Sequence, residues 1–198
     1  MKQIFKYLFF LCLICQSLSA EERISSNATS ISLPKSISFD YHDQEYHLRL
    51  TGIATRTKFF VKVYRIASYL EQDAFAQGPL LEEIMNDHWV KQLSIQWIHD
   101  AGSQRVKHGY LEAFQNSLPK ETLLRLQPEI QLFLSFFRKD MRIGDILIFR
   151  WLPGGHIEFL INEEVSGMID NVEFAKALWG LWFGSKNIVN RDNLLGAN

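Results

Sequence analysis

Leu50-Thr51-Gly52-Ile53-Ala54-Thr55-Arg56-Thr57-Lys58-Phe59-Phe60-Val61-Lys62-Val63-Tyr64-Arg65-Ile66-Ala67-Ser68-Tyr69-Leu70 is the stretch on which the fold turns. Aromatic and β-branched residues dominate it, so it favours extended chain, most strongly over residues 56–70. Four cations, Arg56, Lys58, Lys62 and Arg65, punctuate the apolar run. Read as one strand, its period of two puts Arg56, Lys58, Phe60, Lys62 and Tyr64 on one face. Two readings stay open. The cations could blunt a half-exposed edge strand, or they could form a cationic entrance to an apolar cavity. Phe59, Phe60 and Val61 argue against full solvation, so Arg56 is expected to face a largely apolar cleft.

Outward from this stretch the signals alternate between strand and helix. Residues 36–41 and 45–51 read as a hairpin turning at His42-Asp43-Gln44. Residues 73–88 carry apolar positions at helical spacing, and 92–98 alternate as a strand with Leu93, Ile95 and Trp97 on one side. Ser103 is placed to cap a helix with Val106, Tyr110, Phe114 and Leu118 at four-residue steps. Residues 119–139 continue helical, interrupted at Pro128. Strands at 146–151, 157–161 and 165–169, joined at Leu152-Pro153-Gly154-Gly155 and 162–164, form an antiparallel meander. Asn171 caps a helix over 172–183 that Gly184 ends, apolar nearly all round, and 191–195 makes a last short turn. No repeat or linker interrupts residues 36–198. The chain reads as one α+β domain, an antiparallel β-sheet with helices packed on it.

The N-terminus reads differently. Lys2 and Lys6 precede an apolar run from Tyr7 to Cys15, then small residues at Ser17, Ser19 and Ala20. This is the layout of a secretory signal peptide, residues 1–20, cleaved after Ser19 or Ala20. The run is about half of the roughly 20 residues a spanning helix needs. Residues 21–35 are polar, Ser-rich and expected to be a flexible lead-in. The expected location is periplasmic or secreted, with no integral membrane segment after cleavage. Both cysteines, Cys12 and Cys15, fall within the signal. The mature chain therefore has no disulfide, thiolate nucleophile or cysteine-bound metal.

Composition narrows function by exclusion. At 198 residues, 47% hydrophobic and 22% charged, the chain can bury a full core. A formal net charge of −1 with dispersed basic residues argues against nucleic acid. The six histidines lack the spacing of a zinc helix, and no G-x-S-x-G elbow or phosphate loop occurs. Accordingly, neither a metal site nor a cofactor is expected.

The opening stretch, the Gly144-Asp145 strand with Leu152-Pro153-Gly154-Gly155, Phe174-Ala175-Lys176-Ala177-Leu178-Trp179-Gly180-Leu181-Trp182-Phe183-Gly184, and the closing Leu194-Leu195-Gly196 together resemble the bacterial chalcone isomerase-like proteins. The resemblance spans roughly residues 36–196. It implies an antiparallel sheet with helices over one face and a ligand cleft between them. By resemblance, Arg56 matches the arginine that holds the phenolate in the plant isomerases, and Tyr64 falls where they carry a threonine. Gly102 and Gly109 fall where the enzymes carry a tyrosine and an asparagine, so neither can supply the enzyme's side-chain hydrogen bond, and no chalcone cyclisation is expected. The non-catalytic fatty-acid-binding branch of the same fold keeps the arginine and places tyrosine at the second position. The resemblance thus implies a binder of a small amphipathic acid such as a fatty acid, with Arg56 and Tyr64 as ligand-binding residues. An isomerase or intramolecular lyase of unknown substrate is the alternative. Trp179, Trp182 and Phe174 either line the ligand tunnel or fill the core. One obstacle is geometric: along a straight strand Arg56 and Tyr64 stand roughly 26 Å apart. A shared carboxylate requires a sharp reversal between them, where neither Gly nor Pro is present.

Overall fold

The computed structural model describes residues 33–196, and the signal peptide and most of the lead-in expected from the sequence lie outside them. At the start of this part the Tyr69 hydroxyl donates to Pro34 O (3.1 Å) and Leu50 N donates to Lys35 O (2.9 Å).

Among the described residues, seven strands form one antiparallel sheet in sequence order: β1 (Ser36–Tyr41), β2 (Gln44–Lys58), β3 (Val61–Glu71), β4 (Lys91–Trp97), β5 (Ile146–Leu152), β6 (His156–Ile161) and β7 (Glu164–Asp170). Alternation sends Ile66, Leu93, Ile95, Leu147, Phe149, Trp151, Ile157 and Phe159 to one face, where the helices cover them. The opposite face is partly covered by the sheet's own curl. Phe39 of β1 lies with its ring 3.7 Å from the Arg150 guanidinium of β5, although β2, β3 and β4 separate the two strands in the hydrogen-bonded order. Arg150 also pairs with Glu158 at 2.5 Å in this nearly enclosed setting.

Six helices among the described residues make the second layer: α1 (Leu80–Met85), α2 (Ser103–Ser117), α3 (Lys120–Arg125), α4 (Gln127–Ser135), α5 (Val172–Phe183) and α6 (Arg191–Leu194). The helical region expected over 73–88 divides, because Gly78-Pro79 interrupts it. A 3-10 turn, Gln72–Ala76, precedes the break and α1 starts after Pro79, whose ψ of 127° is extended. Gly102, not Ser103, holds the cap position of α2, and the Ser103 N–H is satisfied by Asp140 Oδ1 at 2.9 Å. The break expected at Pro128 falls just before it, since proline fits the first turn of α4. Asn171 caps α5 by accepting from Phe174 N, as the sequence indicates.

Helix α5 is buried along most of its length, which accounts for its nearly uniform apolarity. Phe133 of α4 is the hub beneath the helical layer. Its ring centroid lies 5.0 Å from Tyr110, 5.3 Å from Phe137 and Phe159, and 5.8 Å from Phe149. Gly52 marks the closest approach of two elements: a Cβ there would collide with the backbone oxygen of Asn193 in α6. Only a hydrogen fits, and Thr51 beside it donates to Leu194 O at 2.7 Å.

Candidate functional site: a donor-lined cleft

The opening stretch is not one strand. β2 ends at Lys58 and β3 begins at Val61, joined by a two-residue loop, Phe59-Phe60, with both residues at positive φ (48° and 69°). That sign pattern belongs to the type I′ turn, whose twist matches that of the hairpin strands. The reversal removes the obstacle of distance, because Arg56 and Tyr64 are directly paired across the hairpin. Next to this pair, between Arg56 and Thr57, the register shifts, and Val63 is the extra residue of a β-bulge. The turn also overturns two expectations. Phe60 and Lys62 do not continue the face of Arg56 and Lys58, and Phe59, Phe60 and Val61 are exposed rather than sheltered. The edge-strand reading fails as well, since β2 and β3 are both interior to the sheet.

Tyr64 is paired in turn with Trp97 of β4, their rings 5.7 Å apart. Arg56, Tyr64 and Trp97 therefore stand at one level on three adjacent strands. Helix α2 passes above them with Val106, Gly109, Tyr110 and Ala113 turned inward at helical spacing. Ile188, between α5 and α6, closes one side. The cleft enclosed has a volume of about 140 Å³. At Gly109 a Cβ would meet nothing within 4 Å.

The polar groups on this cleft are almost all donors. Arg56 uses Nη1 to donate to the Ile188 carbonyl, which anchors the guanidinium and leaves its other N–H groups to engage a ligand. Trp182 Nε1 donates to the Tyr64 hydroxyl oxygen (3.2 Å), so the hydroxyl hydrogen is available to another acceptor. Tyr110 Oη and Trp97 Nε1 are buried and have no hydrogen-bond partner among the described residues. Burial pushes the Tyr64 hydroxyl up to about 12, against smaller opposing effects of the Trp182 hydrogen bond and the Arg56 charge. Burial likewise drives Tyr110 well above the ordinary tyrosine range. Both phenols are thus neutral O–H donors at neutral pH. Arg105 and Lys58 complete the rim, Lys58 held 2.8 Å from Glu112. Among the described residues no carboxylate lines the cleft.

Arg56 and Tyr64, the two residues singled out from sequence, both line this cleft. Trp97, Tyr110 and Arg105 were not anticipated as site residues. Trp97 and Tyr110 lie on apolar stripes and read as core, and the available signal was the polar atom each carries into a buried position. Trp179, Trp182 and Phe174 belong to the core, and Trp182 reaches the cleft only through its bond to Tyr64. Among the described residues no cluster of three or more His, Cys, Asp or Glu could hold a metal. No helix among them is long and apolar enough to cross a membrane.

A curled antiparallel sheet, a helical layer and a cleft between them define an α+β protein of sheet-and-helix layers. The chain belongs to the chalcone isomerase-like family, whose model matches residues 26–196. Among solved structures it is similar to a fatty-acid binding protein of Arabidopsis thaliana, with a TM-score of 0.66 and 15% identity, covering 81% of this chain and 97% of that one. No curated protein matches the chain.

Proposed function

We propose that this protein is an exported, non-catalytic binder of a small amphipathic acid such as a fatty acid. The observation that carries this reading is the lining of the cleft: Arg56, Lys58, Arg105, Tyr64, Tyr110 and Trp97 are the polar side chains in it, with no carboxylate among the described lining residues. Such a lining is matched by an anionic acceptor flanked by apolar atoms. Arg56 supplies the charge-assisted contact to the carboxylate, Tyr64 and Tyr110 donate beside it, and Val63, Val106, Ala113 and Ile188 cover the first carbons. The cleft is comparable in size to an apolar cavity of about 150 Å³, which holds a benzene ring. It therefore encloses about six non-hydrogen atoms, the carboxylate head and about three further carbons, and a longer tail runs out through the mouth. Gly109 offers no side chain to polarise a carbonyl, so the site binds without cyclising a chalcone. The likeness to a fatty-acid binding protein supports the same ligand class. Export rests on the signal layout of residues 1–20. N-terminal sequencing of protein recovered from the periplasm or medium tests it, with cleavage after Ser19 or Ala20 expected.

The binding test is calorimetric titration with fatty acids of six to sixteen carbons and the matching alcohols. Arg56→Ala is expected to weaken acid binding by about 2–5 kcal/mol, because the carboxylate loses its partner in a partly dry site. Arg56→Lys loses part of this, since an ammonium cannot form the bidentate fork. Alcohols bind the wild type poorly and are indifferent to Arg56→Ala. Equal losses for acid and alcohol, with the fold intact by circular dichroism, would make Arg56 structural and overturn the proposal.

A further inference from the structure

Three hairpins among the described strands close with the same backbone. His42-Asp43 (φ 48° and 59°), Phe59-Phe60 (48° and 69°) and Asn162-Glu163 (50° and 69°) are each two-residue loops with both residues in the left-handed region. His, Asp and Asn are residue types that enter this region comparatively readily, whereas bulky residues rarely do. Turn chemistry therefore does not account for Phe59-Phe60. Burial does not account for it either, because Phe59 is 84% and Phe60 101% exposed, with Val61 beside them also exposed. The chain accepts left-handed strain at two successive phenylalanines and projects both rings beyond the protein surface.

We propose that the Phe59-Phe60 tip is a membrane-docking wedge that inserts into an anionic lipid bilayer surface. Its flanks carry charge of the fitting sign. Lys58 and Lys62 bracket the tip. Lys62 is exposed and makes no ion pair among the described residues, while Lys58 is shared with Glu112. Phenyl rings at the acyl boundary, with lysines at phosphate level, is the arrangement an interfacial anchor adopts. The tip is also too small for a stable protein interface, which buries about 800 Å² per partner. A fluid bilayer needs no complementary shape. The same hairpin carries Arg56, Lys58 and Val63 on the cleft, so docking brings the cleft rim to the interface where amphipathic acids partition. Docking itself does not depend on what the cleft binds.

The test places an environment-sensitive dye beside the tip, at Thr57→Cys, in the full chain with Cys12→Ser and Cys15→Ser. Both phenylalanines stay in place, and the dye reports the tip separately from the N-terminal segment. Vesicles of about 30% phosphatidylglycerol in phosphatidylcholine, whose negative surface attracts lysines, are expected to shift the emission to the blue. Pure phosphatidylcholine vesicles are expected to do so at least tenfold more weakly. Replacing the tip by Phe59→Asn with Phe60→Gly keeps the turn geometry and is expected to weaken the vesicle response at least tenfold. Lys62→Glu, at an exposed position, is expected to weaken it severalfold and serves if the double variant does not fold. The same dye at Asn162→Cys, on the matching turn, is expected to stay in water. No shift at Thr57→Cys, an unchanged response with the Asn-Gly tip, or equal responses to both lipids would each overturn the proposal. A concentration-dependent shift without vesicles would overturn it in favour of a second copy of the chain.

Discussion

The layer between sheet and helices has two ends built from the same residue types and finished differently. Around Phe133 the end is sealed: Phe114, Phe149, Phe159 and Phe174 surround its ring within 6.0 Å and none carries a polar atom. Around Tyr64 the rings are Tyr110, Trp97 and Trp182, each with one donor, and the packing leaves a cleft. Tyr110 belongs to both, its ring against Phe133 and Phe137 and its side chain part of the cleft wall. One polar atom per ring is enough to turn core into site, because a donor placed in a dry interior is favourable only when an acceptor arrives.

The comparison can be broken at the sealed end first. Phe133→Ala is expected to destabilise the fold by about 3–5 kcal/mol, since the crowded ring cluster cannot collapse into the void. Chemical denaturation measures this, and a loss below about 1 kcal/mol would show that the end is not sealed. Carboxylate binding by the fraction still folded should be unchanged.

Lys91 sharpens the contrast, as a single amine buried in the helix-covered face. Its Nζ donates to Asn86 O and lies 4.0 Å from the centroid of Trp151. Desolvation lowers its pKa from 10.5 to about 7, against the favourable charges of Asp87 and Glu83. Below about pH 7 both folded and unfolded chains carry the proton, so the full cost of burying the charge is present. As pH rises from about 7 toward 10.5 the folded state releases its proton first, and stability rises. Lys91→Met should remove this slope and stabilise the fold at pH 6 by roughly 2–4 kcal/mol. A thermal denaturation series from pH 6 to 10 that is flat for the wild type would refute it.

At the cleft end, Tyr110→Phe should weaken carboxylate binding by about 1–2 kcal/mol and leave stability within about 1 kcal/mol. The hydroxyl has no partner to lose among the described residues, so a large stability loss would place Tyr110 with the core. The smallest effect is expected at Gly109. Its Cβ space is open, so Gly109→Ala should raise stability by about 0.5–1 kcal/mol through helix propensity alone. Gly109→Leu should fill the cleft and displace the acid, and undiminished binding in that variant would move the ligand elsewhere.

Much of this arrangement was legible in the chain. The period-two runs and their turn residues located the strands, because alternate burial on a pleated sheet leaves its mark on every second residue. Four-residue spacing located α2, and Asn171 and Gly184 bounded α5. Arg56 and Tyr64 were found by resemblance. The β2–β3 reversal was not legible, because Phe-Phe carries none of the Asn-Gly or Asp-Gly signal of such turns. Missing it left Arg56 and Tyr64 far apart and hid the exposed tip.

By itself the sequence determined most of the elements, their order and the apolar faces of α2, β4 and the β5–β7 meander, since these follow from local periodicity and capping. Tertiary structure alone decided which aromatic rings became core and which became cleft wall. It also decided that Arg56, Tyr64 and Trp97 share one level of the sheet. Strand register, a bulge of one residue at Val63 and the crossing of α2 set these outcomes. Each depends on pairing between segments distant in the chain, and no short stretch of residues encodes that pairing.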